Sequence, residues 1–205
     1  MALNPSAVGL HLQRVPIQDA DVFYLRRLEL SQPDSRILQR LIAEVPWRAE
    51  EVTVWGRLVL QPRLTAWYGD AGANYAYSGI QLRPHPWTPL LLDIKTRIED
   101  AVGATFNSVL LNYYRDHNDS IGFHSDDESE LGDRPIIASL SFGEERIFVL
   151  KHKRLREAKP LRLRLASGSL LLMAGDTQHC WRHGIPKESR QCGPRVNLTF
   201  RRIIG

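Results

Sequence analysis

Cysteine is scarce: the chain of 205 residues has two, Cys180 and Cys192. Two thiols cannot build a disulfide framework, and neither belongs to the Cys-x-x-Cys pairs of a zinc ribbon, so both read as ordinary thiols. Long apolar runs are also missing. The longest, such as Leu170-Leu171-Leu172-Met173, is far short of the ~20 residues that span a bilayer and reads as a buried strand. The first residues, Met1-Ala2-Leu3-Asn4-Pro5, have neither the charged start nor the apolar stretch of a secretory leader. A reducing, cytosolic setting is the corresponding expectation, or a nuclear one in a eukaryote. There is no internal repeat and no low-complexity segment.

What is present suits one globular domain of 1–205 acting as a monomer. Hydrophobic residues make up 43% and charged residues 24%, enough for a core and too little charge for a disordered chain. The net charge of +4 and pI of about 9.3 are compatible with a polyanionic partner without establishing one. The distribution is more telling. Basic residues cluster in Lys151-His152-Lys153-Arg154-Leu155-Arg156 and continue through Lys159, Arg162 and Arg164. On charge alone that run reads as a solvated hairpin loop.

Residues 1–20 read as an extended arm. Ser35–Glu44 has helical spacing, with Ile37, Leu38, Leu41 and Ile42 on one face. Val52–Leu60 reads as two short strands around Gly56. Pro89–Val102 is predicted helical, in a register through Leu92, Lys95, Ile98 and Glu99, and Gly103 is its stop. Beyond Gly103 come short strands parted by turn residues: Phe106–Tyr114, Ile121–Ser125, Ile136–Phe142, Arg146–Lys151, Leu161–Leu165, Ser169–Ala174, Cys180–Gly184 and Arg195–Ile203. Such spacing predicts a sandwich or jelly roll, with the N-terminal helices on the outside of one sheet. The fold class is therefore α+β with a β core.

The chemistry starts at His124-Ser125-Asp126. On a strand, residues i and i+2 share a face, so an imidazole and a carboxylate would converge. A second histidine would complete a two-His-one-carboxylate triad, which leaves positions open on a bound Fe(II). The motif alone is weak: seven histidines and 23 acidic residues give about 0.8 His-x-acid pairs by chance. A rival pair, His117-Asn118-Asp119, sits in a wholly polar, turn-like stretch, whereas His124 follows Ile121-Gly122-Phe123 as the end of a buried strand would. Spacing leaves His179 and His183 both open as the distal ligand.

The last strand adds an independent clue. Arg195, Asn197, Thr199 and Arg201 alternate with Val196, Leu198 and Phe200, giving one polar face with two arginines. A guanidinium holds a carboxylate through a bidentate fork, so this face suits a dicarboxylate. The same pattern also suits an edge strand with a solvated basic face. Asn112 and Tyr114 likewise share a face of their strand.

Taken together, His124–Glu128, Pro135–Gly143, Trp181–Pro186 and Pro194–Arg201 resemble the AlkB family of Fe(II)- and 2-oxoglutarate-dependent dioxygenases in order and spacing. The likeness runs from about Val52 to Ile203 and is greatest to the members that repair nucleic acids. The resemblance implies a double-stranded β-helix, with 1–50 as an N-terminal extension and helix, 51–104 as a nucleotide-recognition region and 105–205 as the catalytic core. It implies His124, Asp126 and His183 as iron ligands. Arg195 and Arg201 would hold the two carboxylates of 2-oxoglutarate, with hydrogen bonds from Asn112, Tyr114 and Asn197. The implied reaction consumes 2-oxoglutarate and O₂, hydroxylates an N-alkyl carbon of a damaged base, and ends in formaldehyde and the repaired base.

A damaged base must leave the stack to reach the iron. By resemblance, Tyr77, which alternates onto one face with Tyr75, stacks on the flipped base opposite His124. Asp127 and Glu128 would favour cationic lesions such as 1-methyladenine and 3-methylcytosine, although they also read as part of a solvated acidic loop. Trp55 occupies the place of a hairpin finger that fills the gap in a duplex, and equally suits a buried tryptophan. Arg63 is a further candidate nucleic-acid contact, and Lys151–Lys159 matches a loop that grips the complementary strand. The expected substrate is alkylated DNA, single- or double-stranded, with RNA as an extension of the same chemistry. A 2-oxoglutarate-dependent hydroxylase acting on protein or a small molecule would share the iron site and differ at its rim. A binding module without catalysis is the third alternative.

Overall fold

The computed structural model describes residues 12–54, 57–73, 75–77 and 80–204, and 52–54, 57, 75–77 and 80–82 by backbone alone. Its strands are β1 (Gln13–Arg14), β2 (Asp21–Leu25), β3 (Glu51–Val54), β4 (Arg57–Leu60), β5 (Leu64–Gly69), β6 (Tyr75–Tyr77), β7 (Ile80–Leu82) and β8 (Ser108–Tyr114). There follow β9 (Ile121–His124), β10 (Ile137–Gly143), β11 (Arg146–His152), β12 (Leu161–Leu165), β13 (Leu170–Ala174), β14 (Trp181–Ile185) and β15 (Arg195–Arg201). The helices are α1 (Asp34–Glu44), α2 (Pro89–Val102) and α3 (Thr177–Cys180).

Every strand expected after Gly103 is present, within two residues of its expected bounds at nearly all ends. They form an antiparallel jelly roll. The major sheet runs β1-β2-β13-β10-β15-β8-β5 and the minor sheet β12-β11-β14-β9, while β3–β4 and β6–β7 are separate hairpins. The period of two explains why the sheets stack. On β15, Val196, Leu198 and Phe200 join Leu140, Phe142, Val109 and Leu111 in the core beneath the helices. On β13 the apolar run splits: Leu170 and Leu172 face that core, and Leu171 and Met173 face a second one between the sheets. There they meet Phe148, Leu150, Trp181 and Ile185 of the minor sheet. A strand buried on both faces has to be apolar throughout, as this one is.

The helices cover the outer face of the major sheet as expected. α1 buries Ile37 and Leu41. Thr88 caps α2 by accepting from the Leu91 N–H, Pro89 occupies the first turn, and Gly103 ends the helix in the left-handed region (φ 67°) that glycine adopts without strain. The register of α2 corrects the sequence reading. Leu91, Ile94, Ile98 and Val102 are buried, Leu92 is 45% exposed, and Lys95 and Glu99 form an i,i+4 ion pair at 2.9 Å. Three consecutive leucines allow either phase. The sheet selects the one that buries Leu90 and Leu91.

Three strands outside the expected jelly-roll segment also enter the major sheet: β1, paired to β2, and β2 and β5. β2 pairs with β13, placing Asp21–Leu25 opposite Leu170–Ala174, and β5 pairs with β8 from Leu64↔Tyr113 to Gly69↔Ser108.

One buried residue ties the loops near the site together. Arg146, on β11, is 1% exposed and donates to the carbonyls of Asp116 (3.2 Å), Asp119 (2.8 Å) and Pro186 (2.7 Å), with Glu188 at 3.6 Å. Arg146→Ala would strand those acceptors. At about 1 kcal/mol or more each, the loss is ~3 kcal/mol, or a fall in Tm of ~6–12 °C for a chain of this size. Thermal unfolding followed by circular dichroism checks this, and a fall under ~2 °C would show that the ties contribute nothing.

Candidate active site

The pairing of β9 with β14 sets His124 directly opposite His183, with ring centroids 4.4 Å apart. Gly184 allows the approach: a Cβ there would meet the carbonyl oxygens of Ile121 and Gly122 at 2.9 and 3.1 Å. Asp126 arrives by a different route from the one its spacing suggested. β9 ends at His124, so Asp126 lies beyond the strand. Two hydrogen bonds turn it inward. Ser125 Oγ donates to the Trp181 carbonyl (2.9 Å), and the Asp126 N–H donates to Gln178 Oε1 on α3 (3.0 Å). The result brings Asp126 Oδ1 to 3.8 Å from His124 Nε2 and Asp126 Oδ2 to 4.0 Å from His183 Nε2.

One ligand atom from each of His124, Asp126 and His183 lies within 4.8 Å of the other two, a spacing that a single ion can bridge. The protonation states suit a cation. Burial opposes ionisation of Asp126, but Arg201, His183 and His124 outweigh it and hold the carboxyl well below the usual range. Burial, reinforced by His124, pushes His183 down to about 3, so its imidazole is neutral with a lone pair to give. His124 Nδ1 lies 2.9 Å from the Gly122 carbonyl, an arrangement that makes Nδ1 the donor and frees Nε2. Asp126 Oδ2 is buried without a hydrogen-bond partner, an expensive arrangement unless something cationic binds it.

The rival residues go elsewhere. Asp119 is gripped by Arg115 through both carboxylate oxygens (2.8 and 2.9 Å), which removes the His117 pair from contention. His179 is exposed and lies 2.9 Å from Asp133 on the surface.

The polar face of β15 closes the same pocket. Arg195, Asn197, Thr199 and Arg201 line it with Asn112 and Tyr114 of β8. The register explains the match, since Asn197 pairs with Asn112 and Arg195 with Tyr114. Arg195 is 1% exposed and sits over the Tyr114 ring, 5.0 Å from its centroid. One of its nitrogens donates to Ser141 Oγ (2.9 Å), while Nε and Nη1 are buried without hydrogen-bond partners. Burial pushes its pKa down to about 10, which still leaves it charged at neutral pH. A buried guanidinium with two open donors fits an incoming carboxylate. Arg201 bonds Asp126 Oδ1 at 2.8 Å and so fixes the orientation of that carboxylate.

Arg63, a candidate nucleic-acid contact, is 3% exposed and donates to Asn112 Oδ1 (2.7 Å) from the pocket wall. Any substrate contact it makes is therefore with a group that has entered the pocket. Asp127 is half-exposed and paired with Lys153 Nζ at 2.9 Å. Glu128 is half-buried, with Oε2 shielded and unpartnered. Trp55 lies outside the described residues. The Tyr75–Tyr77 backbone forms β6, and the tyrosine side chains lie outside the description. In the basic hairpin, Lys153 is committed to Asp127 and to the Gln178 carbonyl, while Lys151, Arg154, Arg156 and Lys159 are exposed.

Some residues escaped the sequence reading. Gln178 is fully buried and shapes the turn at Asp126. Ser139 and Ser141 accept from Asn197 (2.8 Å) and Arg195 (2.9 Å). Phe148 stacks on His183 at 5.2 Å. The serines had a signal: Ser139 and Ser141 alternate with Leu140 and Phe142, marking a strand with a small polar face. Gln178 had none.

Two histidines and a carboxylate placed to hold one cation, beside a buried arginine suited to an anion, fit an oxygenase that uses a metal and a dicarboxylate. Comparison with known proteins agrees. Residues 22–201 match the model of the 2OG-Fe(II) oxygenase superfamily. The chain is 46% identical over 180 residues to the mouse alpha-ketoglutarate-dependent dioxygenase alkB homolog 3, covering 82% of this chain and 60% of that protein. It is 45% identical over 177 residues to the human DNA oxidative demethylase ALKBH2, covering 82% and 68%. The structure of OsALKBH1 superposes with a TM-score of 0.62 over 93% of this chain and 99% of that one, at 16% identity, which supports the fold. The chain belongs to the AlkB family of the 2OG-Fe(II) oxygenase superfamily. It spans about 60% of the length of the alkB homolog 3 proteins it matches. Fe(II) and 2-oxoglutarate are the family's metal and cosubstrate, and the residues present fit both.

The open donors of Arg195 generate a prediction. Arg195→Gln removes the charge and the fork while keeping a polar side chain. A charge-assisted hydrogen bond contributes about 1.5–3 kcal/mol, so 2-oxoglutarate binding should weaken by roughly 10- to 100-fold. Calorimetric titration of the Mn(II)-loaded protein reads this directly. Unchanged affinity would mean that the dicarboxylate is held elsewhere.

Proposed function

We propose that this chain is an Fe(II)/2-oxoglutarate dioxygenase that demethylates N-alkylated bases of the 1-methyladenine and 3-methylcytosine type in DNA, and in RNA by the same chemistry. The observation that carries this reading is the junction, in one pocket, of the His124–Asp126–His183 cluster with the open guanidinium of Arg195. The mouse and human relatives, a dioxygenase and a DNA oxidative demethylase by name, support the reaction and the substrate class. The same reading makes the protein a monomer of the cytoplasm, or of the nucleus in a eukaryote. No helix among the described residues is long and apolar enough to cross a membrane.

Fe(II) with 2-oxoglutarate supplies the activation of O₂ needed to hydroxylate the N-methyl carbon, and the product then loses formaldehyde. The chain supplies placement. His124, Asp126 and His183 would hold the metal from one side. Arg201 fixes the Asp126 carboxylate at 2.8 Å, so that it presents its second oxygen to the ion. Arg195 would take the far carboxylate of the cosubstrate, with Asn112, Tyr114 and Asn197 adding hydrogen bonds. Ile121, Phe148, Met173 and Ile185 form the apolar part of the same wall.

On the substrate side, Tyr77 would stack on the extruded base opposite His124, with Tyr75 beside it on the same strand. Asp127 and Glu128 put negative charge next to a cationic lesion, and the unpartnered Glu128 Oε2 can accept from an exocyclic amine. Arg63 can reach a base that has entered the pocket. Trp55, which follows β3 in the sequence, would fill the gap in the stack. The exposed cations of the 151–159 hairpin would contact phosphates.

The test is a mass-spectrometric assay of 1-methyladenine and 3-methylcytosine in single-stranded DNA, duplex DNA and RNA, with Fe(II) and 2-oxoglutarate. The protein should release formaldehyde and restore the base. His124→Ala, Asp126→Ala and His183→Ala should each reduce this to background. Retained activity in all three would refute the site. Succinate formed without any repaired oligonucleotide would favour a protein or small-molecule substrate.

A further inference from the structure

We propose that the outer face of the minor sheet, centred on Phe123, is a stacking platform for the nucleotides that flank the damaged base in a single strand. The inference rests on the nucleic-acid reading above and extends it to a surface outside the pocket. β9 is the edge strand of the minor sheet, and His124 is the most exposed of the three candidate ligands, with 24% of its side chain accessible against 2% for Asp126 and 6% for His183. The pocket therefore opens beside β9. The ladder with β14 slips by one residue between Ile121 and His124, so Gly122 and Phe123 together oppose Gly184; the Phe123 ring lies beside Lys151 on the outer face, and the residue is 38% exposed. A strand whose base has entered past His124 must cross this edge.

That face also carries cations around Ile147 and Val149. His183 pairs with Leu150 and points inward, which turns Arg182 and Lys151, a register pair, outward. On β12, Arg162 and Arg164 alternate outward with Leu161 and Leu163 beneath them. Arg164 is taken by Glu145 at 2.9 Å, whereas Lys151, Arg162 and Arg182 have no carboxylate within 4.0 Å among the described residues. Lys151 Nζ lies 4.0 Å from the centre of the Phe123 ring. Lone exposed aromatics are ordinary. An exposed ring in a field of three uncompensated cations is the combination that binds single-stranded nucleic acid: the ring takes a base face, and the cations track the phosphates. Charge complementarity thus selects a polyanionic strand, and the ring selects one that carries bases.

The experiment measures fluorescence anisotropy of the full chain, loaded with Mn(II) and 2-oxoglutarate. One single-stranded oligonucleotide carries 1-methyladenine between ordinary nucleotides; the other carries it between abasic sites. Phe123→Ala should weaken binding of the first about tenfold and leave the second unchanged, while Phe123→Trp should restore it. Lys151→Gln should reduce the slope of log affinity against log salt by about 0.7. An equal loss for both oligonucleotides, or no loss for either, would overturn the platform. A wild-type protein that binds neither would overturn the base-repair reading, and the platform with it.

Discussion

A carboxylate that is 2% exposed has to be held by opposite charge, and the site is built around meeting that demand for Asp126. Arg201 at 2.8 Å satisfies one oxygen; the other lies 4.0 Å from His183 Nε2 and has no hydrogen-bond donor. Removing one member of such a buried pair typically destabilises by about 3–5 kcal/mol, because the remaining charge is left uncompensated. The ion pair ties the end of β15, in the major sheet, to the turn after β9, in the minor one. It therefore closes the mouth of the jelly roll and aims the free oxygen at the point where a metal would sit. A bound cation then satisfies a group that the fold alone leaves unsatisfied.

Much of this was legible because it rests on a period of two. The alternation of Arg195–Arg201 separates a face that packs under the helices from one that lines the pocket, and the structure keeps both assignments. The α2 boundaries were legible for a different reason. Thr88, Pro89 and Gly103 each have a local stereochemical role that needs no tertiary contact. The phase of α2 was not legible, since Leu90, Leu91 and Leu92 satisfy either register until a sheet chooses between them.

The remainder depends on contacts between distant segments. Gln178 and Asp126 are 52 residues apart, and the hydrogen bond between them is what brings the carboxylate inward. His-x-Asp spacing suggested two side chains on one strand face; the observed turn reaches the same convergence by side-chain bonds to α3 and β14. Spacing could not choose between His179 and His183; the resemblance implied His183, and the pairing of β14 with β9 sets it opposite His124. Arg63, a candidate nucleic-acid contact, is a wall of the pocket because β5 enters the major sheet beside Asn112, a pairing between segments about fifty residues apart.

The central claim is that one buried site binds Fe(II) and 2-oxoglutarate together. Anaerobic titration of the Fe(II)-loaded protein with 2-oxoglutarate, followed by visible absorption, tests it most directly. A chelating keto acid on Fe(II) gives a charge-transfer band, and this account predicts that the band appears and saturates at one equivalent per chain. If 2-oxoglutarate binds without producing the band, or binds as tightly without the metal, the two do not share a site and the account is contradicted.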